Sequence, residues 1–439
     1  MNDYPNTLKN TLNSLIHEVS KSPDLFVKKP GHDFSRERKL PFESVVRLII
    51  SMGGNSIYKE LLDSHGYDEN TATTSAFVQQ RDKILPCVFE YLLHEFLQAH
   101  QPQKTYRGYR LLAVDGSSLH IPKNPYDTDT YCFNKTHESS YNLMHMTALF
   151  DLCNKLYTDA CVQTFHGSNE NAAFRDMVKR SRIDATAIVI ADRFYESYNN
   201  FANLEQKGWY YVIRCKDVLS NSGILAGLPE LPKCGEFDVS IKRILTRKAS
   251  KEIKANPHLY KIICSKSPFD FLDSNSNPFY HIAFRVVRFR IPDGSFQSVI
   301  TNLPKHDFPP TELMTLYNMR WGIETSFREL KYAVGLANFH SKKRECIVQE
   351  VFARIIMYNF AEMITLHVVI SKSDTLHSYQ VNFTVAIHIC RRFLRTWINA
   401  PPFDVEALIR KNVLPVRPNR ASKRNIRTRS AVSFIYRVA

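Results

Sequence analysis

Between residues 108 and 214 the chain alternates short apolar runs with amphipathic stretches in an order that few folds can accommodate. Residues 110–114, 145–150 and 156–162 read as strands, the last two joined across Asp151-Leu-Cys-Asn154-Lys155, a turn of hairpin length. A helical segment over 171–181 follows, then an apolar run over 187–191 of the kind buried on both faces. A helix over 198–206 and a fifth strand over 209–214 complete the series. Three antiparallel strands, helix, strand, helix, strand is an α/β arrangement around one sheet. Asp115 closes the first strand, where Asp115-Gly116 reads as a turn, and Asp192 closes the fourth. With those two strands side by side, both carboxylates project into one cleft.

A third carboxylate comes from 317–331, Tyr317-Asn-Met-Arg320-Trp-Gly-Ile-Glu324-Thr-Ser-Phe-Arg-Glu-Leu-Lys331. Tyr317, Arg320, Glu324 and Lys331 are spaced by three, four and seven. One helix, entered through Pro309, Pro310 and Thr311, would carry all four on nearly the same side. Glu324 then lies between a guanidinium one turn before it and an ammonium two turns after it. Three carboxylates around one cleft repel unless neutralised, and they are tolerable as ligands of hard divalent cations. Two such ions can activate a nucleophile and stabilise the leaving oxygen in phosphoryl transfer. Arg320 and Lys331 suit the phosphate, and Tyr317 can donate a hydrogen bond to a phosphate or a carboxylate. An ordinary solvated face laced with ion pairs has the same spacing.

The charge balance agrees with an anionic partner. The chain has 58 Lys and Arg against 43 Asp and Glu, a net +15, which points first to nucleic acid. A membrane surface, a ribosome or a plain basic enzyme are the alternatives. Its 439 residues, 44% of them hydrophobic, allow two or three domains with a large core. The nine cysteines are odd in number and contain no Cys-x-x-Cys pair, which argues against a disulfide framework or a zinc ribbon. No apolar stretch approaches the roughly 18 residues of a spanning helix, and the start lacks a basic-then-apolar signal pattern. The expectation is a soluble, intracellular protein without a membrane partner.

The remaining segments divide the chain into a helical unit over 1–105, a core in two parts over 106–216 and 304–400, a β-rich insertion over 217–303, and a basic tail over 401–439. Helical segments over 41–52, 56–64 and 74–84 suit a small DNA-binding unit, the third capped by Thr71, Thr73, Thr74 or Ser75. Lys28, Lys29, Arg36, Arg38 and Lys39 precede it, and Gln79, Gln80 and Arg81 can face bases; a plain helical bundle fits as well. The insertion holds a β-hairpin, 282–291 and 296–303, around Pro292-Asp293-Gly294. Two amphipathic helices are expected over 344–371 and 380–398. Ala407 to Ala439 contains nine Arg or Lys and no Asp or Glu, with Arg420, Lys423 and Arg424 as candidate phosphate contacts. Among other acids, Glu196 suits a helix cap or a supporting role, Asp151 a turn, Glu329 another helix face, and Glu170 with Asn169 a helix cap. His120 and His166 lie near the cleft in sequence and read as polar surface or packed residues rather than ligands.

These residues carry a family resemblance. The chain resembles the DDE transposases of bacterial insertion sequences, in the insertion-sequence-four family marked by Tyr-x2-Arg-x3-Glu-x6-Lys. Tyr317, Arg320, Glu324 and Lys331 reproduce that spacing, with Trp321 and Phe327 in the family's style. Asp192-Arg193-Phe194-Tyr195-Glu196-Ser197 is similar to its Asp-Arg-Gly-Tyr-Glu-Ser motif, and Ala113-Val114-Asp115-Gly116-Ser117 to its first motif. Thr301-Asn302-Leu303 before the signature also looks like the family. Phe194 stands where the family usually has glycine, so a positive φ required there would be unmet.

The resemblance implies a ribonuclease H-like α/β core, with the β-rich insertion between the second aspartate and the glutamate and a helical N-terminal domain ahead of it. It implies Asp115, Asp192 and Glu324 as catalytic residues and ligands of two Mg²⁺ ions, with Mn²⁺ as a substitute. Tyr317, Arg320 and Lys331 would bind DNA phosphate. The implied partner is double-stranded DNA, both the terminal inverted repeats and the target, bound by a homodimer that cleaves and transfers strands, with a DNA hairpin intermediate in some members. A cytoplasmic location, on the nucleoid when bound, goes with it. A nuclease on the same core that never joins strands, and a DNA-binding protein without catalysis, are the competing readings.

Overall fold

The computed structural model describes residues 2–133, 140–273, 276–368, 378–395 and 403–416. Five helices come first, α1 (Asp3–Lys21), α2 (Phe42–Ser51), α3 (Ile57–Ser64), α4 (Thr74–Arg81) and α5 (Cys87–Ala99). α1 and α5 lie within the helical unit expected over 1–105 but outside its three delimited segments; on α1, Leu8, Leu12, Ile16 and Val19 form a buried stripe at helical spacing. Thr73 caps α4, its hydroxyl accepting from the Ala76 N–H at 3.2 Å, and the helix stops at Arg81 rather than at 84.

The core then runs β1 (Arg110–Ile121), β2 (Tyr131–Phe133), β3 (Ser140–Asp151), β4 (Leu156–Thr164), α6 (Glu170–Arg180), β5 (Ala187–Ala191), α7 (Tyr198–Gln206) and β6 (Tyr210–Cys215). β1 pairs antiparallel with β3, β3 with β4, and β1 parallel with β5, which pairs parallel with β6. The expected element order stands, with the short β2 added and one correction. Asp115 does not end a strand. β1 continues through Gly116 to Ile121 because β3 offers partners as far as Asn142, opposite Ile121.

Residues 217–303 form β7 (Phe237–Thr246), α8 (Lys251–Ala255), β8 (Tyr260–Ile262), β9 (Phe279–Arg290) and β10 (Phe296–Thr301). They are β-rich, yet they do not fold into a sheet of their own. β10 pairs antiparallel with β6, so the strand order among the described residues is β2-β3-β1-β5-β6-β10-β9-β7-β8, with β4 on β3. β6 would otherwise leave its ladder groups unpaired at an edge. Asn302, in the Thr-Asn-Leu motif, locks this join: its Oδ1 accepts from the Tyr211 N–H at 2.9 Å.

The sheet is covered on both faces. Leu112, Val114, Val189 and Ala191 face α6 and α7, whereas Leu111, Ile188 and Ile190 face α9 (Pro310–Met319). α10 (Trp321–Tyr332) and α11 (Arg344–His367) share a core with Ala113, Met146, Ala148 and Phe150 and with α1, α2 and α5. Expected as an amphipathic helix, α11 is instead buried along nearly its whole length, because α2, α5, α12 (Phe383–Arg395) and β4 surround it. α13 (Val405–Lys411) and a small ladder of β11 (Tyr379–Val381) with β12 (Val413–Pro415) complete the described chain. All nine cysteines are free, and no described helix is long and apolar enough to cross a membrane.

Candidate active site

β1 and β5 are in parallel register with Val114 opposite Ala191, which places Asp115 level with Asp192, the residue just past β5. Side chains alternate across a strand, so Asp115 follows Leu111 and Ala113, and Asp192 follows Ile188 and Ile190, onto the α9–α10 face. On that face the signature segment does not form one helix. It breaks at Arg320, whose N–H bonds back to the Tyr317 carbonyl (3.1 Å) and whose carbonyl takes the Ile323 N–H (3.1 Å), a three-residue step. The reason is packing: α9 lies with the β5–β6 cluster and α10 turns onto the β1–β3 surface. Tyr157 anchors α10 there, its buried hydroxyl 2.9 Å from Ser326 Oγ.

Arg320 lies between two carboxylates. Its Nη1 donates to Asp115 Oδ2 at 3.3 Å and its Nη2 to Glu324 Oε1 at 2.5 Å, with the guanidinium largely buried. Burial pushes the Asp115 carboxyl up to about 6, and repulsion from Asp192 and Glu324 adds to the rise, while the Gly116 N–H and Arg320 oppose it. Asp192 caps the short turn Arg193–Tyr195, its Oδ1 accepting from the Phe194 N–H at 2.8 Å. Phe194 is absent from the positive-φ residues, so no glycine is needed at this turn, and its ring is exposed. Among the described residues no three His, Cys, Asp or Glu side chains gather as a ready-made metal cage.

The other signature residues lie apart from this pair. Tyr317 is buried in the α9 core, against Arg214 and with the Arg320 guanidinium 5.9 Å from its ring. Lys331, at the far end of α10, donates to the Ser118 carbonyl on β1 at 2.9 Å, and burial pushes its ammonium down. Of the N-terminal candidates, Lys29, Arg36, Arg38 and Gln79 are exposed, and Lys28 pairs with Glu345 at 2.5 Å. Gln80 and Arg81 are not free to face bases. Both are buried, and Arg81 donates to Gln349 Oε1 and Glu350 Oε1, each at 2.9 Å, and to the Cys346 carbonyl. Arg420, Lys423 and Arg424 fall outside the described residues.

Sequence reasoning underestimated two acids. Glu196 accepts from the Lys216 N–H at 3.0 Å and the Ile224 N–H at 2.5 Å, tying the Asp192 motif to the start of the insertion. Glu170 is not a cap, a task that Asn169 performs for α6; it touches His145 and Tyr195 beneath Gly116. Neither contact follows from local spacing, since each joins elements far apart in the chain. Asp151 does make its turn, accepting from the Asn154 N–H at 2.8 Å, and also pairs with Arg110 at 2.5 Å.

The raised Asp115 carboxyl has a measurable consequence in metal-free protein. An unfolded Asp ionises near pH 4, so between about 4 and 6 the folded state holds a proton that the unfolded chain has lost. Stability from this group is therefore fully present below pH 4 and lost as pH rises through 6, by about 2–3 kcal/mol. Denaturant unfolding at pH 4 and pH 7 should show this fall in wild type and a smaller one in Asp115→Asn; equal falls would refute it.

Comparison with known proteins gives three results. A family described as "Transposase DDE domain" matches residues 106–360. The transposase InsG for insertion sequence element IS4 of Escherichia coli (strain K12) is 23% identical over 451 residues, covering 96% of this chain and 93% of that protein. The cryo-EM structure of a piggyBac transposase synaptic complex with hairpin DNA is similar with a TM-score of 0.43 and 12% identity, over 95% of this chain and 87% of that one.

Proposed function

The chain belongs to the transposase DDE-domain family, and on that premise we propose that the cleft between β1, β5 and α10 is where this insertion-sequence transposase cuts and joins DNA. The observation that carries the reading is the Arg320 guanidinium held between Asp115 and Glu324, with Asp192 level with Asp115 just past the next strand. Two aspartates and a helix glutamate, far apart in sequence, are brought to one face. The order β4-β3-β1-β5-β6, with α6 and α7 on one face and α9 and α10 on the other, supports a ribonuclease H-like core.

The donor types suit hard divalent cations, although the three carboxylates do not close into a ready-made cage around one point. Three carboxylates repel one another enough to help raise Asp115, and a buried guanidinium already offsets part of that charge. Asp115, Asp192 and Glu324 would hold Mg²⁺ or Mn²⁺, which when bound supplies Lewis acidity at a phosphodiester oxygen and a more acidic water. Arg320, beside Asp115 and Glu324, is placed to hold a phosphate oxygen through its fork of N–H groups. Its Nε, buried and without an acceptor among the described residues, is one donor for that purpose. Tyr317 sets the angle of Arg320, and Lys331 serves DNA further along the cleft, beside Ser118.

A homodimer on paired DNA ends belongs to the same reading. Its test is a strand-transfer assay with Mg²⁺ or Mn²⁺ on DNA carrying the inverted repeats that flank the gene. Cleavage followed by joining of a 3′-OH end to target DNA is the expected result. Cleavage without joining would leave only a nuclease, and neither step would leave a DNA-binding protein.

DNA affinity should also fall steeply with salt, because neutralised phosphates release counterions. Replacing Lys29, Arg36 and Arg38 together by Ala should flatten the slope of log K against log salt by about 2–3. Arg81→Ala, provided the protein stays folded, should not change the slope. An unchanged slope in the triple variant would remove these cations from the DNA surface.

A further inference from the structure

The carboxylate of Glu170 sits where the two aspartate-bearing elements meet. Its Oε1 lies 3.0 Å from His145 Nε2 on β3, and its Oε2 accepts from the Tyr195 hydroxyl at 3.0 Å. Tyr195 is fully buried in the turn that Asp192 caps, and its ring packs edge-on against Phe174 of α6 at 5.5 Å. Glu170 and His145 also press on the backbone next to Asp115. A Cβ added to Gly116 would lie 2.5 Å from Glu170 Oε2 and 2.6 Å from His145 Nε2, so a larger residue at that point of β1 would have to displace both side chains.

The next residue of α6 repeats the pattern. Asn171 Nδ2 donates to the Phe194 carbonyl at 3.3 Å, and its Oδ1 accepts from Asn200 Nδ2 at 2.5 Å. Asn200 also donates to the Tyr195 carbonyl at 2.9 Å. The first turn of α6 thus grips the 193–195 turn from two sides while Glu170 rests on β1 and β3.

We propose that Glu170 is a positioning residue that sets the spacing of Asp192 relative to Asp115 by bridging Tyr195 to the Gly116–His145 surface. The proposal rests on the reading of Asp115 and Asp192 as the catalytic pair. A carboxylate with partners on two separate elements fixes their distance in a way that a single contact cannot. Partners one layer behind a metal-binding set commonly govern affinity and rate by about 10–100-fold.

The test uses the full chain with Glu170→Ala, Glu170→Gln and Tyr195→Phe. Gln keeps an acceptor for the Tyr195 hydroxyl and loses the charge facing His145. Affinity for the transposon-end DNA should be unchanged in all three. End cleavage should slow by about 10–100-fold in Glu170→Ala and Tyr195→Phe, with partial recovery in Glu170→Gln. Mn²⁺ binding without DNA, read from the electron paramagnetic resonance of free Mn²⁺, should weaken by a similar factor. The Glu170→Ala/Tyr195→Phe double variant should be no slower than Glu170→Ala, since one contact is removed twice.

Wild-type cleavage and Mn²⁺ binding in Tyr195→Phe and Glu170→Ala would overturn the proposal. So would losses that merely follow a fall in melting temperature or DNA affinity. Should Glu170→Ala not fold, Tyr195→Phe and Glu170→Gln decide the matter. If the wild type itself neither binds Mn²⁺ nor cleaves, it is the catalytic-pair reading that fails, and this proposal falls with it.

Discussion

Glu324→Gln is expected to slow strand cleavage by roughly 10²–10³-fold while DNA-end binding stays within a factor of a few. The substitution keeps the size and helix position of residue 324 and removes its charge. Arg320 Nη2 then faces a neutral amide where it now meets a carboxylate at 2.5 Å, and one of the three anionic donors is gone. Asp192→Asn should do the same from the opposite side of the cleft. It also leaves the Phe194 N–H an oxygen acceptor, so the Arg193–Tyr195 turn should survive. Cleavage and joining on labelled transposon ends, beside an equilibrium binding measurement, separate chemistry from recognition. Near-wild-type cleavage by either variant would show that the reaction runs elsewhere. A parallel loss of binding would mean that these groups hold DNA rather than act on it.

The second large effect is on stability. Glu350→Ala should destabilise the fold by about 3–5 kcal/mol, because it strands buried cations without a counter-charge. Glu350 is 1% exposed on α11 and meets Arg81 Nη1 at 2.9 Å, His340 Nδ1 at 2.9 Å and Arg354 Nη2 at 3.7 Å. Burial alone would raise its carboxyl, but His340, Arg81 and Arg354 outweigh it and hold the group well below the usual range. Its contribution is therefore present above the ordinary carboxylate range near pH 4 and is lost as pH falls through the depressed folded value. Urea unfolding should show a lower midpoint at an unchanged slope. An Arg81→Ala/Glu350→Ala double variant should lose less than the sum of the single losses. Additive losses would mean that the two groups do not interact.

That network also explains an error in the sequence reading. Gln79, Gln80 and Arg81 look like a base-reading triplet on a short helix, and the residue types allow it. α4 instead packs on α2, and Arg81 reaches Gln349 and Glu350, some 270 positions away. No local pattern marks an arginine as buried when its partner lies that far along the chain. The break in the signature helix was hidden for a similar reason. The spacing of Tyr317, Arg320, Glu324 and Lys331 suits one straight helix, and nothing local in 317–331 forbids it. The interruption follows from packing that joins α9 to the β5–β6 cluster and α10 to the β1–β3 surface.

Local alternation and apolar runs were enough to place β1, β3, β4, α6, β5, α7 and β6 in order, because each buries a face whose period is written in neighbouring residues. Asp115 and Asp192 were legible for the same reason, at the ends of two of those apolar runs, and Arg320 and Glu324 from the spacing within 317–331. Tertiary structure alone decided the rest: that the insertion extends the central sheet through β10, that Arg320 reaches Asp115, and that Glu170 lies under Gly116. These are contacts between elements far apart in the chain, set by edge pairing, charge compensation and close packing, and such forces have no period to read along a sequence.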